Sequence, residues 1–389
     1  MFKKIKITSA VLAILMVAVV FAVAGCGSNT PTTTKTSAGG AVTAASKEPN
    51  FAAMKGKSIG YIVAGDDIYY EKGFEVFDAL ATEAGATVTK ISSNYNPVQE
   101  QNNVQNLIAK KVSAIVDVTV NAGNGARCAT LANSAKIPIF FSEALIGTTG
   151  GKPAGSVTGD WYQAGVGGGK AAATKYGANA KIVDIEGAYG QGTPELQTMG
   201  FVQGFADVTG KTTEQVWNDN IVYAQTGQWS TDKAVKVMQD AMAKTKGNFD
   251  VVYVQNEAMM QGVLQVLQNA SKKYGIYTVN GQEGTIANIQ EGLVQQTISI
   301  PPTSEEEMVF QQMCDYFAGV KYPVYLKNFH TPVDQSNVKT VNVLPWLDVK
   351  AYLSDIIAGK TGVDILKMPN SANVDPNWSA QAKLDGTKS

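Results

Sequence analysis

Two kinds of basic side chain are nearly missing from this chain. It has one histidine, His330, and one arginine, Arg127, among 389 residues. One histidine cannot build a multi-histidine zinc centre, and a Ser/His/Asp triad would have to use that residue alone. The arginine falls in what reads as a surface helix, so a pocket would lack a bidentate clamp for carboxylate or phosphate. The expected ligand is therefore neutral or cationic, although a helix N-terminus can still hold an anion through backbone N–H groups. Cysteine is scarce as well. Beyond Cys26 only Cys128 and Cys314 remain, both in amphipathic helical patterns, Arg127-Cys-Ala-Thr-Leu-Ala and Gln312-Met-Cys-Asp-Tyr-Phe. They read as small buried hydrophobes, with a disulfide between them as the alternative. Net charge is also missing. With 32 basic against 33 acidic side chains, there is no electrostatic footprint for nucleic acid and no polybasic surface for anionic lipid. No nucleophile–base pair and no metal-ligand cluster stands out, so no catalytic residue, metal or cofactor is expected.

What is present begins with an address. Met1-Phe-Lys-Lys-Ile-Lys precedes an uncharged, mostly apolar stretch from about Ile7 to Ala24. A basic start and a short apolar core make a secretory signal, too short for a comfortable transmembrane span. The stretch ends in Val23-Ala24-Gly25-Cys26, which resembles the lipobox of bacterial lipoproteins. The resemblance implies a lipid on Cys26 and cleavage just before it; an ordinary signal peptide or an uncleaved anchor are the alternatives. Residues 1–25 are thus read as signal peptide and 26–56 as a tether. The Thr, Ser, Ala and Gly that follow Cys26 to about Ser46 are too polar to bury a core. Gly27 gives no retention signal of the aspartate kind. The expected location is therefore the outer face of the cytoplasmic membrane, in a Gram-positive-type cell.

From Lys57 onward short apolar runs alternate with helical patterns. Ser58-Ile-Gly-Tyr-Ile-Val-Ala, Thr87-Val-Thr-Lys-Ile, Ala114-Ile-Val-Asp-Val and Ile137-Pro-Ile-Phe-Phe read as strands. Helices fall between them, through Phe74, Phe77 and Leu80, through Val104 and Leu107, and through Ala129 and Ala132. The rhythm restarts at Lys181-Ile-Val-Asp-Ile, then Gln215-Val-Trp, Asp250-Val-Val-Tyr-Val and Ile276-Tyr-Thr-Val, with helices at 195–206, 231–243 and 258–269. Such alternation indicates βαβ units. The expected fold class is α/β, two doubly wound parallel-sheet lobes. Two glycine-rich stretches fail as nucleotide motifs. Gly165-Val-Gly-Gly-Gly-Lys170 lacks the leading glycine of a phosphate loop and reads as a helix packed closely on a neighbour. Gly187-Ala-Tyr-Gly-Gln-Gly192 has Tyr189 at the second glycine of the dinucleotide motif.

In order and spacing, several fragments resemble the ribose- and galactose-type periplasmic binding proteins of type I fold, from Lys57 to about Val343. They include the first strand with Gly-Asp-Asp-Ile-Tyr-Tyr-Glu-Lys-Gly-Phe, Asn96-Pro, Asn103-Val-Gln-Asn-Leu-Ile, Met199-Gly-Phe-Val-Gln-Gly-Phe, Val254-Gln-Asn-Glu-Ala-Met and Asn280-Gly. The resemblance implies a cleft between two lobes joined by a three-strand hinge, with crossings near Gly159, Pro301-Pro302 and His330-Thr331. One lobe then comprises 57–159 with 301–330, and the other 160–300 with 331–350. Residues 351–389 are left as a C-terminal helix and polar tail.

Open α/β sheets bind ligands at the carboxyl ends of their strands. That rule and the resemblance select Asp66, Asp67, Tyr69 and Tyr70 after the first strand and Glu143 after the fourth. They also select Trp161, Gln197, Trp229, Asn256 and Asn280. Acids and amides bond hydroxyls, and aromatic faces cover the C–H patches of a sugar. Asp66, Asp67 and Asn256 are alternatively mere helix caps, Asn280-Gly281 a turn, Tyr69 and Tyr70 lobe packing, and Trp161 core. The family's two arginines fall at Ala144 and Gln197 here. A neutral sugar or polyol held through hydroxyls, or an amine paired with Asp67 or Glu143 over a tyrosine face, fits that change. The resemblance implies a monomeric solute-binding lipoprotein, not an enzyme, that closes on its ligand and docks on an ABC permease with its ATPase. A receptor feeding a sensor kinase or chemoreceptor is the alternative.

Overall fold

The computed structural model describes residues 49–143, 150–328, 330–341 and 353–354. The apolar N-terminal segment with Cys26, Ala144 and nearly all of the expected C-terminal helix lie outside them. Among the described residues no helix is long and apolar enough to cross a membrane.

The first lobe runs β1 (Ser58–Val63), α1 (Ile68–Glu83), β2 (Thr87–Ser92), α2 (Pro97–Ala109), β3 (Ala114–Asp117), α3 (Ala122–Ser134), β4 (Ile139–Phe141) and β5 (Gly155–Gly159). The second runs α4 (Trp161–Tyr176), β6 (Ile182–Glu186), α5 (Thr193–Thr209), α6 (Thr213–Gln215), β7 (Ile221–Thr226) and α7 (Thr231–Thr245). It continues with β8 (Val251–Val254), α8 (Glu257–Leu267), β9 (Gly275–Asn280), α9 (Glu283–Gln290) and β10 (Gln296–Ser299). The chain returns to the first lobe with α10 (Pro302–Ala318) and β11 (Tyr325–Asn328), then crosses to the second with β12 (Thr331–Asp334).

Each lobe has one six-stranded sheet, in the orders β2-β1-β3-β4-β5-β11 and β7-β6-β8-β9-β10-β12. All pairings are parallel except β10 with β12. The two-lobed α/β class expected from the alternating pattern is the class observed. Strand order reverses between β1 and β3 and between β6 and β8, which makes each a topological switch point. The chain passes between the sheets after β5, after β10 and between β11 and β12. Buried polar contacts tie these passages together. Lys327 Nζ meets Asp160 Oδ1 at 2.9 Å, and Asn328 Nδ2 and Ser304 Oγ both donate to the Pro301 carbonyl at 2.9 Å.

Glycines set the packing of α4 on α5. A Cβ on Gly165 would lie 2.2 Å from the Gln197 carbonyl oxygen, and one on Gly169 would lie 2.0 Å from that of Phe201. Reciprocally, Gly200 abuts the Tyr162 carbonyl at 2.0 Å and Gly204 that of Val166 at 2.1 Å. The stretch that mimics a phosphate loop is therefore one half of a backbone-to-backbone helix contact.

Three readings change. Gln215-Val-Trp is helical rather than a strand, because Thr212 and Gln215 form a reciprocal capping box that starts α6, which runs on into a wider turn at Val216–Asn220. The strand follows at β7, and Asn220, fully buried, anchors its start by donating to the Ala178 and Ala180 carbonyls. The tether ends before residue 56: Phe51–Met54 forms a short 3-10 turn, Met54 is fully buried, and the Phe51 ring lies 5.7 Å from that of Phe310. Finally, a cluster of metal-type ligands does exist. Glu100, Asp117 and Cys128 come together in the first lobe, where Glu100 accepts from Thr119 Oγ1 and from the Val120 N–H. Cys128 and Cys314 are both buried free thiols.

Candidate ligand-binding site

Nine of the ten residues selected from the sequence line one cavity between the lobes. The first lobe supplies Asp67, Tyr69, Tyr70 and Glu143; the second supplies Trp161, Gln197, Trp229, Asn256 and Asn280. Asp66 does not reach it. That carboxylate is exposed and lines a wider outer chamber with Asn94, Tyr95, Asn121, Tyr189 and Gln228, while Asp67 and Trp229 line both spaces. The inner cavity holds about 20 Å³ against about 1020 Å³ for the outer chamber. The inner space accommodates about one water, so admitting a sugar ring requires the lobes to part.

Caps and cavity walls coincide. Asp67 Oδ1 accepts from the Tyr69 N–H at 2.7 Å as the N-cap of α1, and Asn256 Oδ1 accepts from the Met259 N–H at 2.9 Å as the N-cap of α8. Both still line the cavity, so capping and facing the site are one placement. Several neighbours have left-handed backbone: Glu143 at φ 62°, Gln228 at 50°, Trp229 at 59° and Asn280 at 111°. Residues other than glycine rarely adopt such φ values, and strain of this kind gathers at functional sites. The Glu143 carbonyl is held by Thr158 Oγ1 at 2.8 Å. Trp229 donates through Nε1 to Gln191 Oε1 at 2.5 Å, and its ring lies over Gly187, where a Cβ would come within 2.0 Å of it.

The two sides of the cavity differ in charge. In the first lobe Asp67 is pushed up to about 6 by burial, against the opposing pull of the Tyr69 N–H. Burial, then the charge of Asp67, pushes Glu143 well above the carboxylate range, while Tyr70 donates a hydrogen bond to it. Behind them stand two carboxylates that sequence reasoning missed. Glu305 accepts from the Tyr69 hydroxyl at 3.1 Å, and Glu306 accepts from Tyr61 at 2.6 Å and from Ser142 at 2.5 Å. Burial, then Glu143 and Glu306, pushes Glu305 up; burial pushes Glu306 up to about 7.

The second lobe presents amides instead. Gln197 Oε1 accepts from the Tyr253 hydroxyl at 3.2 Å, and Thr193 and Gln255, also missed, complete the wall. Gln255 accepts from the Gly187 N–H at 2.8 Å and donates to Thr198 Oγ1 at 2.7 Å. This lobe's carboxylates lie behind, taken up by donors: Glu257 accepts from the Gly281 N–H and from Thr297 Oγ1, both at 2.8 Å.

Residues 59–321 match the periplasmic binding protein domain family. A ribose import binding protein of Haemophilus influenzae is 24% identical over 223 residues, 57% of this chain and 72% of that protein. A xylitol-binding protein of Mycolicibacterium smegmatis is 27% identical over 241 residues, 61% of this chain and 65% of that protein. Among solved structures, the periplasmic binding protein component of the arabinose ABC transporter from Shewanella sp. ANA-3 superposes with a TM-score of 0.67 at 20% identity, covering 76% of this chain and 98% of that one.

Proposed function

Because the chain belongs to the periplasmic binding protein domain family, whose members bind rather than transform their ligands, we propose that it is the extracytoplasmic capture subunit of an ABC importer for a small hydroxylated solute, a sugar or polyol. The relatives at 24 to 27% identity are named for ribose and xylitol, and their chemistry is consistent with this cavity. One observation carries the reading: the strand ends and helix caps of both lobes meet at a single narrow space walled by aromatic rings, carboxylates and amides. Rings cover the C–H faces of a sugar while amides and acids bond its hydroxyls, and a wrong hydroxyl pattern leaves those buried groups unpaired.

The mechanism is hinged capture. The lobes part about the three chain crossings, the solute seats against Tyr69 and Tyr70, and closure brings Trp161, Trp229, Gln197, Asn256 and Asn280 over it. The closed form then docks on a permease with its ATPase, and a lipid on Cys26 keeps the protein at the membrane. The test is a thermal-shift screen of the full chain in mild detergent against pentoses, hexoses, polyols, nucleosides and amines. A ligand bound only by the folded state stabilises it by about 2.7 kcal/mol at a hundredfold excess over Kd. A shift with a sugar or polyol that disappears in Trp229→Ala supports the reading. Shifts with nucleosides alone overturn the solute class.

A further inference from the structure

The charges around the inner cavity do not balance, and we propose that its solute carries a protonated amine beside its hydroxyls, as an amino sugar or amino polyol does. The inference rests on the reading of this cavity as the solute site. Asp67 and Glu143 line the cavity, and among the described residues no lysine, arginine or histidine does. Glu305 stands one hydrogen bond behind the wall residue Tyr69, and Glu306 lies deeper, bonded to Tyr61 and Ser142; they are only 1% and 3% exposed, and Glu305 Oε1 and Glu306 Oε2 accept no hydrogen bond. Lys327, the buried cation at the chain crossings, is engaged with Asp160 at 2.9 Å.

Hydroxyls donate hydrogen bonds to such carboxylates but bring no charge to offset them. Closing the lobes over bare carboxylates removes them from water without compensation. An ammonium group in the same space gives charge-assisted hydrogen bonds to Asp67 and Glu143. Tyr70, Trp161 and Trp229 also line the space and offer aromatic rings for cation–π contact. The opposite wall of Gln197, Asn256, Asn280 and Thr193 suits neutral hydroxyls. The ligand that fits this asymmetry has its cation toward the first lobe and its hydroxyls toward the second. Without a cation, burial holds the first lobe's carboxyls up in pKa, so closure over a neutral solute favours uptake of protons. That difference is measurable.

The experiment is isothermal titration of the full chain in mild detergent at pH 7, in phosphate and in MOPS. The probes are matched pairs, namely D-glucosamine with D-glucose, D-galactosamine with D-galactose, and 1-amino-1-deoxysorbitol with sorbitol, plus the N-acetylated sugars, choline and putrescine. The expected result is one pair in which the amine binds at least roughly tenfold more tightly than its hydroxyl counterpart, with heats independent of buffer. N-acetylation and the double substitution Asp67→Asn/Glu143→Gln should remove the advantage. Asn still caps α1, and melting of the variant checks its fold; if the variant does not fold, the wild-type pairs and buffers decide alone. A neutral member that binds as tightly or more tightly, with buffer-dependent heat, overturns the amine and leaves the importer reading standing. Binding of choline or putrescine alone overturns the hydroxylated solute itself, and no binding by any probe overturns the cavity as the site.

Discussion

The two lobes repeat one local device and then diverge. In the first, the turn after β2 puts Asn94 and Tyr95 into left-handed backbone (φ 50° and 54°) just ahead of the α2 cap Asn96, and a Cβ on Gly65 would lie 2.1 Å from the Tyr95 ring. In the second, the turn after β7 does the same with Gln228 and Trp229 (50° and 59°) ahead of the α7 cap Ser230, and the Trp229 ring covers Gly187. Only Trp229 reaches the inner cavity; Tyr95 stops at the outer chamber. Around these matched turns the first lobe faces the cavity with carboxylates and the second with amides. A shared topology and a shared turn thus position the site, while ligand discrimination is left to a few side chains that differ between the halves.

The largest expected effect comes from breaking what both lobes share. Lys327→Met leaves Asp160 buried without its cation and should lower the unfolding free energy by about 3–5 kcal/mol in urea denaturation; adding Asp160→Asn should recover most of the loss. The paired aromatics come next. Trp229→Ala should weaken binding of the preferred solute by roughly a hundredfold, and Tyr95→Ala by less than about threefold, both read by titration calorimetry. Equal losses would erase the distinction between inner and outer ring. The glycines beneath them sharpen it. Gly187→Ala should displace the Trp229 ring, lowering affinity by about tenfold together with about 1–3 kcal/mol of stability, whereas Gly65→Ala should show the stability loss alone.

The smallest effect is in pH. Folding holds Asp67 up to about 6 and Glu306 to about 7 in the first lobe, and Glu186 and Glu257 to about 7 in the second. The folded state therefore binds these protons more tightly than the unfolded chain. Their contribution is full below the ordinary carboxylate range and is lost as pH rises through 6 to 7. The melting temperature of the unliganded protein should rise by roughly 5 °C between pH 8 and pH 5, and Glu306→Gln should flatten the curve. A melting temperature that falls over that interval would refute the burial of these acids.

Much of the architecture was legible because each βαβ unit shows itself as an apolar run followed by a helical stripe. Ile59, Val116, Phe140 and Val252 lie in those runs and are fully or almost fully buried. The cavity was legible for a related reason. Strand order sends the carboxyl ends of β1, β4, β8 and β9 to one place, so the polar and aromatic residues after those ends had to meet. The acidic floor was not legible. Glu305-Glu306-Glu307 looks like a solvated helix face, yet α10 is buried against α1 and β5 after a return crossing that no local pattern announces. Gln215-Val-Trp failed for a local reason, since a capping box outweighed an apolar pair. Thr193 and Gln255 escaped because nothing in composition separates a helix-start threonine or a second amide beside Asn256 from an ordinary surface residue.

The glycine contact between α4 and α5 has a mechanical consequence. With backbone touching backbone, the two helices cannot slide, so Trp161 at the head of one and Thr193 and Gln197 on the other move as a single plate. A solute is then gauged against a template of fixed spacing, and a molecule one bond longer meets a wall that will not yield. Altering what this protein accepts is therefore a matter of exchanging side chains on the plate, since the plate itself has no slack to give.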